Sequence, residues 1–290
     1  MNQEKQWKLS TMMILAMITW GLSWTNAKIL GIYADPPLIM FWRFVIASIC
    51  FFFIVIVREP LRIPAKGIPI IIINSIFMVL YNFFYFKGTQ IGLAGTGGVL
   101  VTTLNPILTA IFSSLFKYDT LPRKDWVGLC FGLIAGGIIL RIWDMNFFIF
   151  YNSGNLFFIM ASLSWVAVTI TTSKSKEKIS FSSYSFWTFL FSALISLAFV
   201  PNNSLFSIVK FDLIFWINLI VLSVFAMAFG TSIYFYASTK LGPKKASSYI
   251  FLVPFTAILF SMYFLDEPFQ LSTILGGGLG VCSVYLINNK

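Results

Sequence analysis

The sequence predicts an all-α polytopic membrane protein, with ten transmembrane helices arranged as two inverted five-helix repeats. Three observations predict this fold class: the composition, the length of the apolar segments and an internal repeat. Hydrophobic residues make up 58% of the 290 residues, and charged residues make up only 10%. A chain this apolar cannot bury its hydrophobic surface in one water-soluble core, so a lipid bilayer is its expected environment.

Ten apolar segments are long enough to cross about 30 Å of hydrocarbon at roughly 1.5 Å per helical residue. They are continuous apolar runs rather than the alternating segments that build an outer-membrane barrel, which excludes strands. The predicted helices cover residues 9–30, 38–57, 68–86, 94–116, 126–142, 155–172, 181–200, 213–239, 246–265 and 269–287.

The second half of the chain repeats the first with the same spacings. A shift of 148 residues aligns three consecutive apolar segments. Nearer the N-terminus of each copy the shift is 141 residues, and it aligns Leu22-Ser23-Trp24 with Leu163-Ser164-Trp165. The repeat predicts two domains, residues 9–142 and 152–288. Five spans in each copy would insert the copies in opposite orientations, a layout common among secondary transporters. The aligned pairs are Pro106 with Pro254, Asp119 with Glu267, Gly128 with Gly276 and Gly132 with Gly280.

The net charge of +10 is distributed as in a membrane protein. Most of the 20 lysine and arginine residues fall in alternate loops. The positive-inside rule assigns those loops and both termini to the cytoplasm, so we expect a bacterial inner (plasma) membrane. The basic loops are short and include no folded domain that could recognise a nucleic acid, so no nucleic-acid partner is expected. The basic residues elsewhere are Lys28, Lys87, Arg141, Lys210 and, within a span, Arg43.

Absent and scarce residues exclude most catalysis. The chain contains no histidine, which is the commonest metal ligand and the usual general base. We therefore expect no metal, no cofactor and no enzyme activity, and the predicted loops are too short for a catalytic domain. Cys50, Cys130 and Cys282 lie in apolar segments, where small packing residues are expected and a disulfide is not.

Arg43 is the only charged residue well inside a predicted span. A mid-span arginine costs about 2.5–3.5 kcal/mol on insertion, so a compensating contact is expected. Its planar guanidinium suits a substrate carboxylate or phosphate. The alternative is that Arg43, near the start of its span, extends to the outer interface or binds helix-end carbonyls.

The third span has one polar and aromatic face. In a carrier this face would line a water-accessible cavity, with rings against apolar parts of a ligand and amides against polar parts. The alternative is hydrogen bonding between helices without ligand contact. The residues that recur at helical spacing are Asn74, Met78, Tyr81, Asn82 and Tyr85.

Further candidates for substrate contact lie on other spans. Trp24 and Trp165 are repeat mates, and an interfacial aromatic belt competes with a cavity as their explanation, although Trp165 lies midway along its span. The matching prolines Pro106 and Pro254 indicate gate pivots beside a binding site, or else packing kinks. The remaining candidates are Asn105, Tyr234 and Tyr249.

Glycines four residues apart permit close helix contact in spans five and ten. We expect these two spans to pack against each other. A homodimer seam is the alternative, so the expected state is a monomer or a homodimer. The glycines are Gly128, Gly132 and Gly136 in span five, with Gly276 and Gly280 in span ten.

Taken in order, these features resemble the drug/metabolite transporter superfamily, in a member built from two EamA-type domains. The resemblance covers nearly the whole chain. It rests on Trp20-Gly21-Leu22-Ser23-Trp24, Arg43, Leu104-Asn105-Pro106, Leu252-Val253-Pro254, Asp119, Glu267 and the glycine-rich spans.

The resemblance implies one bundle whose central cavity is walled by spans one, three, four, six, eight and nine. Members of the superfamily typically export amino acids and other small metabolites, and some relatives carry nucleotide-sugars or sugar phosphates. This chain has no lysine or arginine deep inside spans eight and nine, which favours a zwitterionic or neutral substrate.

The sequence therefore predicts a secondary transporter, an exporter of small metabolites such as aromatic or apolar amino acids, that works by alternating access. Its expected partners are the small-molecule substrate and the lipid bilayer. Two alternatives stay open: a membrane-embedded binding or assembly protein without flux, and a carrier of nucleotide-sugars or phosphorylated metabolites.

Overall fold

Every regular element that the structure describes is helical. The computed structural model describes residues 3–58, 63, 65–116, 123–144, 146, 154–175, 179–201, 204–268 and 271–288, and within these ranges it contains no strand. Asp119, which the repeat pairs with Glu267, lies outside the described residues. The prediction of an all-α fold is confirmed.

Ten long helical segments make up most of the described chain. Apart from α1, which begins earlier, each begins within a turn of its predicted span. They are α1 (Gln3–Tyr33), α2 (Pro36–Arg58), α3 (Ile68–Ile91), α4 (Ala94–Leu115), α5 (Arg123–Leu140), α6 (Asn155–Ser173), α7 (Phe181–Leu197), α8 (Leu213–Leu241), α9 (Pro243–Leu265) and α10 (Leu271–Asn288).

Within the described residues, six of these helices are long and apolar enough to cross a membrane, namely α2, α3, α4, α6, α8 and α9. Shorter apolar stretches occur in α5, α7 and α10, over Trp126–Ile138, Phe181–Leu197 and Ile274–Ser283. The protein is therefore a multi-pass helical membrane protein. The count of ten crossings stays a prediction.

Two helices change type partway along their length. α8 is α-helical over Leu213–Ile220, π-helical over Val221–Thr231 and α-helical again over Ser232–Leu241. α9 contains a 3-10 turn just before Pro254, whose ring and missing N–H disfavour a regular α-helical bond there. Its repeat mate Pro106 lies inside α4, which stays α-helical. Only one of the two matching prolines therefore follows a change of helix type.

The helices pack in pairs that bring the two halves of the chain together. α1 packs against α8 and α9, while α6 packs against α3 and α4. α4 also contacts α9, α2 contacts α7, and α5 contacts α10. Large, fully buried side chains from α1, α3, α6 and α8 place the core at the centre of this bundle; among them are Trp24, Tyr85, Phe158 and Tyr234.

Small residues allow α5 and α10 to lie close together. Oγ of Ser283 on α10 donates to the carbonyl of Gly128 on α5 at 2.6 Å. A Cβ atom at Gly132 would lie 2.8 Å from Cζ of Phe251 and 3.1 Å from Oγ of Ser283. The predicted packing glycines are all buried: Gly128, Gly132, Gly136, Gly276 and Gly280.

Replacing Gly132 by valine should destabilise the protein by about 1–3 kcal/mol, because the added carbons would overpack the contact with Phe251 and Ser283. Thermal unfolding of purified protein in detergent measures the change. Gly278→Val on α10 is the matched control, since no heavy atom lies within 4 Å of a Cβ atom built there. Equal unfolding midpoints for the two variants would contradict the packing role of Gly132.

Candidate functional site

A small cavity lies near the centre of the bundle. Its volume is about 20 Å³, enough for about one water molecule. α9, an expected wall, contributes none of the lining residues, whereas α2 contributes Arg43. The cavity is lined by Trp20, Ser23, Trp24, Arg43, Met78, Tyr81, Asn82, Thr102, Asn105, Trp165, Met227 and Thr231.

Arg43 carries the only formal charge among these lining residues, and its side chain is buried, with the residue 4% exposed. The guanidinium carbon lies 5.6 Å from the ring centre of Tyr85 and 5.7 Å from that of Phe86. Nε has no hydrogen-bond partner, and no carboxylate in the described part of the chain forms an ion pair with Arg43. The alternative in which Arg43 extends to the membrane interface is wrong, because the side chain points into the protein.

Among the described residues, Asn82 is the one hydrogen-bond partner of the Arg43 guanidinium. Its own helix orients the Asn82 side chain. Its Nδ2 donates to the carbonyl of Met78 at 2.8 Å, while its Oδ1 accepts from Nη1 of Arg43 at 2.6 Å. An amide is neutral, so this bond satisfies one guanidinium N–H without neutralising the charge. A buried cation without a counter-ion favours an anionic ligand group.

The polar face of α3 divides between the cavity and helix contacts. Tyr85 donates to the carbonyl of Ser23 on α1 at 2.6 Å, as the alternative of interhelical bonding predicts. Asn74 is fully buried outside the lining, and neither its Oδ1 nor its Nδ2 has a partner. The members of the face that line the cavity are Met78, Tyr81 and Asn82.

Aromatic rings form one wall of the cavity. The ring centre of Trp165 lies 4.6 Å from that of Tyr81 and 5.0 Å from that of Trp20. Tyr234 packs 5.1 Å from Trp20 without lining the cavity, and its hydroxyl shares a 2.8 Å hydrogen bond with Oγ1 of Thr169. Ring separations of about 4.5–7 Å are favourable, so these rings support one another without a ligand.

The π-helical segment of α8 contributes two lining residues, Met227 and Thr231. Nε1 of Trp20 donates to the carbonyl of Ala226 in this segment at 2.9 Å, which joins α1 to α8 beside the cavity. Such segments are frequent at functional sites. No repeat or polar periodicity in the sequence indicates Met227 or Thr231.

Other lining residues outside the predicted set carry a signal in the sequence. Trp20 and Ser23 belong to the motif that ends at Trp24, and Thr102 lies one turn before Asn105. Asn105 is fixed toward α6, since its Oδ1 accepts from Oγ of Ser162 at 2.8 Å. Counting one helical turn back from Trp24 and from Asn105 would have found Trp20 and Thr102, and Ser23 is the neighbour of Trp24 in the sequence.

Six of the ten predicted substrate contacts line the cavity. Tyr249 does not, because its hydroxyl shares a 2.8 Å hydrogen bond with Oγ of Ser10 and joins α9 to the start of α1. The six that line it are Trp24, Arg43, Tyr81, Asn82, Asn105 and Trp165, and the four that do not are Asn74, Tyr85, Tyr234 and Tyr249.

Polar contacts join helix ends on the side where α4 begins. The carboxylate of Glu267 accepts from the first two backbone N–H groups of α4 at 2.9 and 3.0 Å, and so caps α4 from the end of α9. The backbone N–H of Phe215 and the hydroxyl of Tyr33 both donate to Asp212, and these bonds lower the pKa of its carboxyl. Glu267 and Asp212 are therefore structural contacts at this end rather than free surface charges.

The fold and the site together define a polytopic helical membrane protein with one uncompensated cation in a small central cavity. Residues 7–141 and 152–289 match the EamA-like transporter family, and the chain belongs to that family. The resemblance to EamA-type members of the drug/metabolite transporter superfamily is thus confirmed. The protein is a membrane transporter and not an enzyme.

Known proteins resemble this chain over its whole length. The uncharacterized transporter YvbV of Bacillus subtilis is 27% identical, over 100% of this chain and 94% of that protein. An uncharacterized transporter of Archaeoglobus fulgidus is 26% identical, over 99% of each chain. A crystal structure with 17% sequence identity superposes with a TM-score of 0.69, over 97% of this chain and 96% of the other, and so has the same fold.

Replacing Tyr85 by phenylalanine should lower the free energy of unfolding by about 0.5–1.5 kcal/mol, because the hydrogen bond to Ser23 is lost while the ring remains. Thermal unfolding in detergent measures this loss. Tyr285→Phe is the matched control, since Tyr285 is 65% exposed. A loss no larger than that of the control would mean that the Tyr85 bond does not stabilise the helix contact.

Proposed function

We propose that this protein is a secondary transporter that exports amino acids with an aromatic or apolar side chain by alternating access through the central cavity. The observation that carries this proposal is the buried charge of Arg43, which lines the cavity without a carboxylate partner among the described residues. Family membership supports transport, and the lining residues support the choice of substrate.

The carboxylate of an amino acid is the ligand group that this site lacks. Burying an unpaired ion costs several kcal/mol of free energy. The amide of Asn82 and the ring faces of Tyr85 and Phe86 offset only part of that cost for Arg43. The guanidinium fork accepts a carboxylate through two parallel hydrogen bonds. A substrate that supplies its own carboxylate therefore completes the site.

The rest of the lining suits the other parts of an amino acid. The rings of Trp165, Tyr81 and Trp20 present apolar faces and edges to a side chain. The same rings, together with the amide oxygen of Asn105, attract an ammonium group. The combination favours a zwitterion with an apolar part.

Transport requires the cavity to enlarge, because about 20 Å³ holds only about one water molecule. The helix contacts support movement of two inverted repeats. In the two copies, α1 corresponds to α6, α3 to α8 and α4 to α9. The contacts of α1 with α8 and α9 therefore correspond to the contacts of α6 with α3 and α4, and both sets are present. A pseudo-twofold axis between two five-helix copies would produce this pattern.

The two alternatives have less support. A phosphorylated substrate carries more negative charge than one guanidinium neutralises, and Arg43 is the only cation among the residues that line the cavity. A binding or assembly protein could have the same cavity, and measurement of flux separates it from a carrier.

Replacing Asn82 by aspartate should abolish binding and transport of a carboxylate ligand. The new carboxylate would occupy the position 2.6 Å from Arg43 and would pair with it internally. The measurement is flux of labelled L-phenylalanine through proteoliposomes. We expect L-tryptophan to compete with it and phenethylamine, which lacks the carboxylate, to compete poorly.

Asn218→Asp is the matched control, since Asn218 is partly exposed on α8 and outside the cavity lining, and this variant should retain flux. Thermal unfolding shows whether Asn82→Asp still folds. If its unfolding midpoint equals or exceeds that of the unaltered protein, the loss of flux comes from lost binding and not from a lost fold. Undiminished flux in Asn82→Asp, or equal competition by phenethylamine, would contradict carboxylate recognition. Stabilisation by L-phenylalanine without flux would favour the non-transporting alternative.

We expect ten crossings with both termini in the cytoplasm, because basic residues collect in the loops on that side. Alkaline phosphatase folds only where its disulfides form, so fusions after residue 178 or Lys290 should be inactive. A fusion after Lys210 should be active and serves as the positive control. Activity at residue 178 or Lys290 would overturn this orientation.

A further inference from the structure

One face of α4 continues the polar lining beyond the cavity. Thr102, Asn105, Thr109 and Ser113 follow one another at intervals of three, four and four residues, which places them on a single helical face. The first two line the cavity. Thr109 and Ser113 lie further toward the C-terminal end of α4, and both are 0% exposed.

The hydroxyl groups of Thr109 and Ser113 have no hydrogen-bond partner. Buried hydroxyls on these helices commonly return to their own backbone, as Ser75 does to the carbonyl of Ile71 at 2.8 Å. Buried polar atoms are rarely left unpaired, and an unpaired one calls for a ligand or water in another state. Both hydroxyls therefore lack the partner that a hydrated or occupied passage would supply.

The repeat provides an internal comparison for this face. Shifted by 148 residues, Thr102, Asn105, Thr109 and Ser113 fall on the buried α9 residues Ile250, Val253, Ala257 and Ser261. Three of these are apolar, and the hydroxyl of Ser261 returns to the carbonyl of Ile258 at 3.1 Å. The shared fold accepts apolar side chains at these positions, so packing does not explain the polar face of α4.

The opposite direction from the cavity is closed by tight packing. A Cβ atom at Gly98 would lie 2.6 Å from that of Ala257 and 3.2 Å from the indole of Trp24. A Cβ atom at Gly97 would lie 2.5 Å from the ring of Phe158. Toward the C-terminal end, α4 instead packs against α6 and against the first turns of α9, Pro243–Ser248.

We propose that Thr109 and Ser113 line the passage that connects the cavity to the C-terminal end of α4, between α6 and the start of α9. Their hydroxyls bind water and the polar groups of the substrate when this passage opens, and they lose those partners when it closes. This inference rests on the proposed transport function. The orientation predicted from charge makes this end cytoplasmic.

Cysteine labelling tests the passage without knowledge of the transported molecule. In a background with Cys50, Cys130 and Cys282 replaced by alanine, Thr109→Cys and Ser113→Cys are exposed to a membrane-impermeant methanethiosulfonate that carries a sulfonate. The cysteine thiolate attacks the sulfenyl sulfur of the reagent, forms a mixed disulfide and releases methanesulfinate. A thiolate forms in hydrated sites and not in apolar packing. We expect both variants to label to saturation from the side where α4 ends.

Two further variants make this result decisive. Lys174→Cys, exposed after the end of α6, marks the side of the membrane on which α4 ends. Ala110→Cys is the matched buried control, because Ala110 packs with Ile107, Leu129 and Phe251, and it should not label.

Labelling of Thr109→Cys and Ser113→Cys no greater than that of Ala110→Cys overturns the passage, provided that unfolding midpoints show folded variants. Labelling from the opposite side to Lys174→Cys overturns it as well. Absence of L-phenylalanine flux would defeat the proposed substrate while leaving this test intact, so the two failures are distinguishable.

Discussion

The cost of burying one positive charge in an apolar bundle is the constraint on which the site depends. Arg43 has a neutral amide and two aromatic faces around it, and these groups offset its desolvation less than a carboxylate would. A carboxylate from the protein would stabilise the empty state more, but it would remove the attraction for an anionic ligand. Under the proposed function, the arrangement around Arg43 keeps affinity for an anion at some cost in stability.

The helices and about half of the site could be predicted from the sequence. Arg43 and Asn82 are polar residues in apolar spans. Burying a polar side chain in a span costs free energy, so such a residue indicates a functional site. Their contact could not be predicted, because a single sequence does not specify which faces of distant helices meet. Polarity alone also did not separate cavity residues from helix contacts, as Tyr249 illustrates with its bond to Ser10. Met227 lies in a π-helical segment. Side chains there do not recur every 3.6 residues, so α-helical periodicity does not predict that Met227 faces the cavity.

Identical residues in the two copies of the repeat have different surroundings in the two halves of the bundle. Trp24 and Trp165 illustrate this difference. Trp24 packs 4.6 Å from Tyr85 and 5.9 Å from Phe158 in addition to lining the cavity, while Trp165 belongs to the aromatic wall formed with Tyr81. The glycines of α5 and α10, by contrast, are buried in both copies. Residues that agree between the copies therefore serve packing in α5 and α10 and line the cavity in α1 and α6.

The chemistry of the cavity lining has a consequence for how the protein responds to acidity. None of the twelve described residues that line the cavity is an aspartate, glutamate, histidine or lysine. Arginine keeps its charge at physiological proton concentrations, and tyrosine and tryptophan stay neutral there. The electrostatic potential of the empty site is therefore constant across neutral and mildly acidic conditions. A change of affinity with acidity in that range therefore does not come from these lining residues.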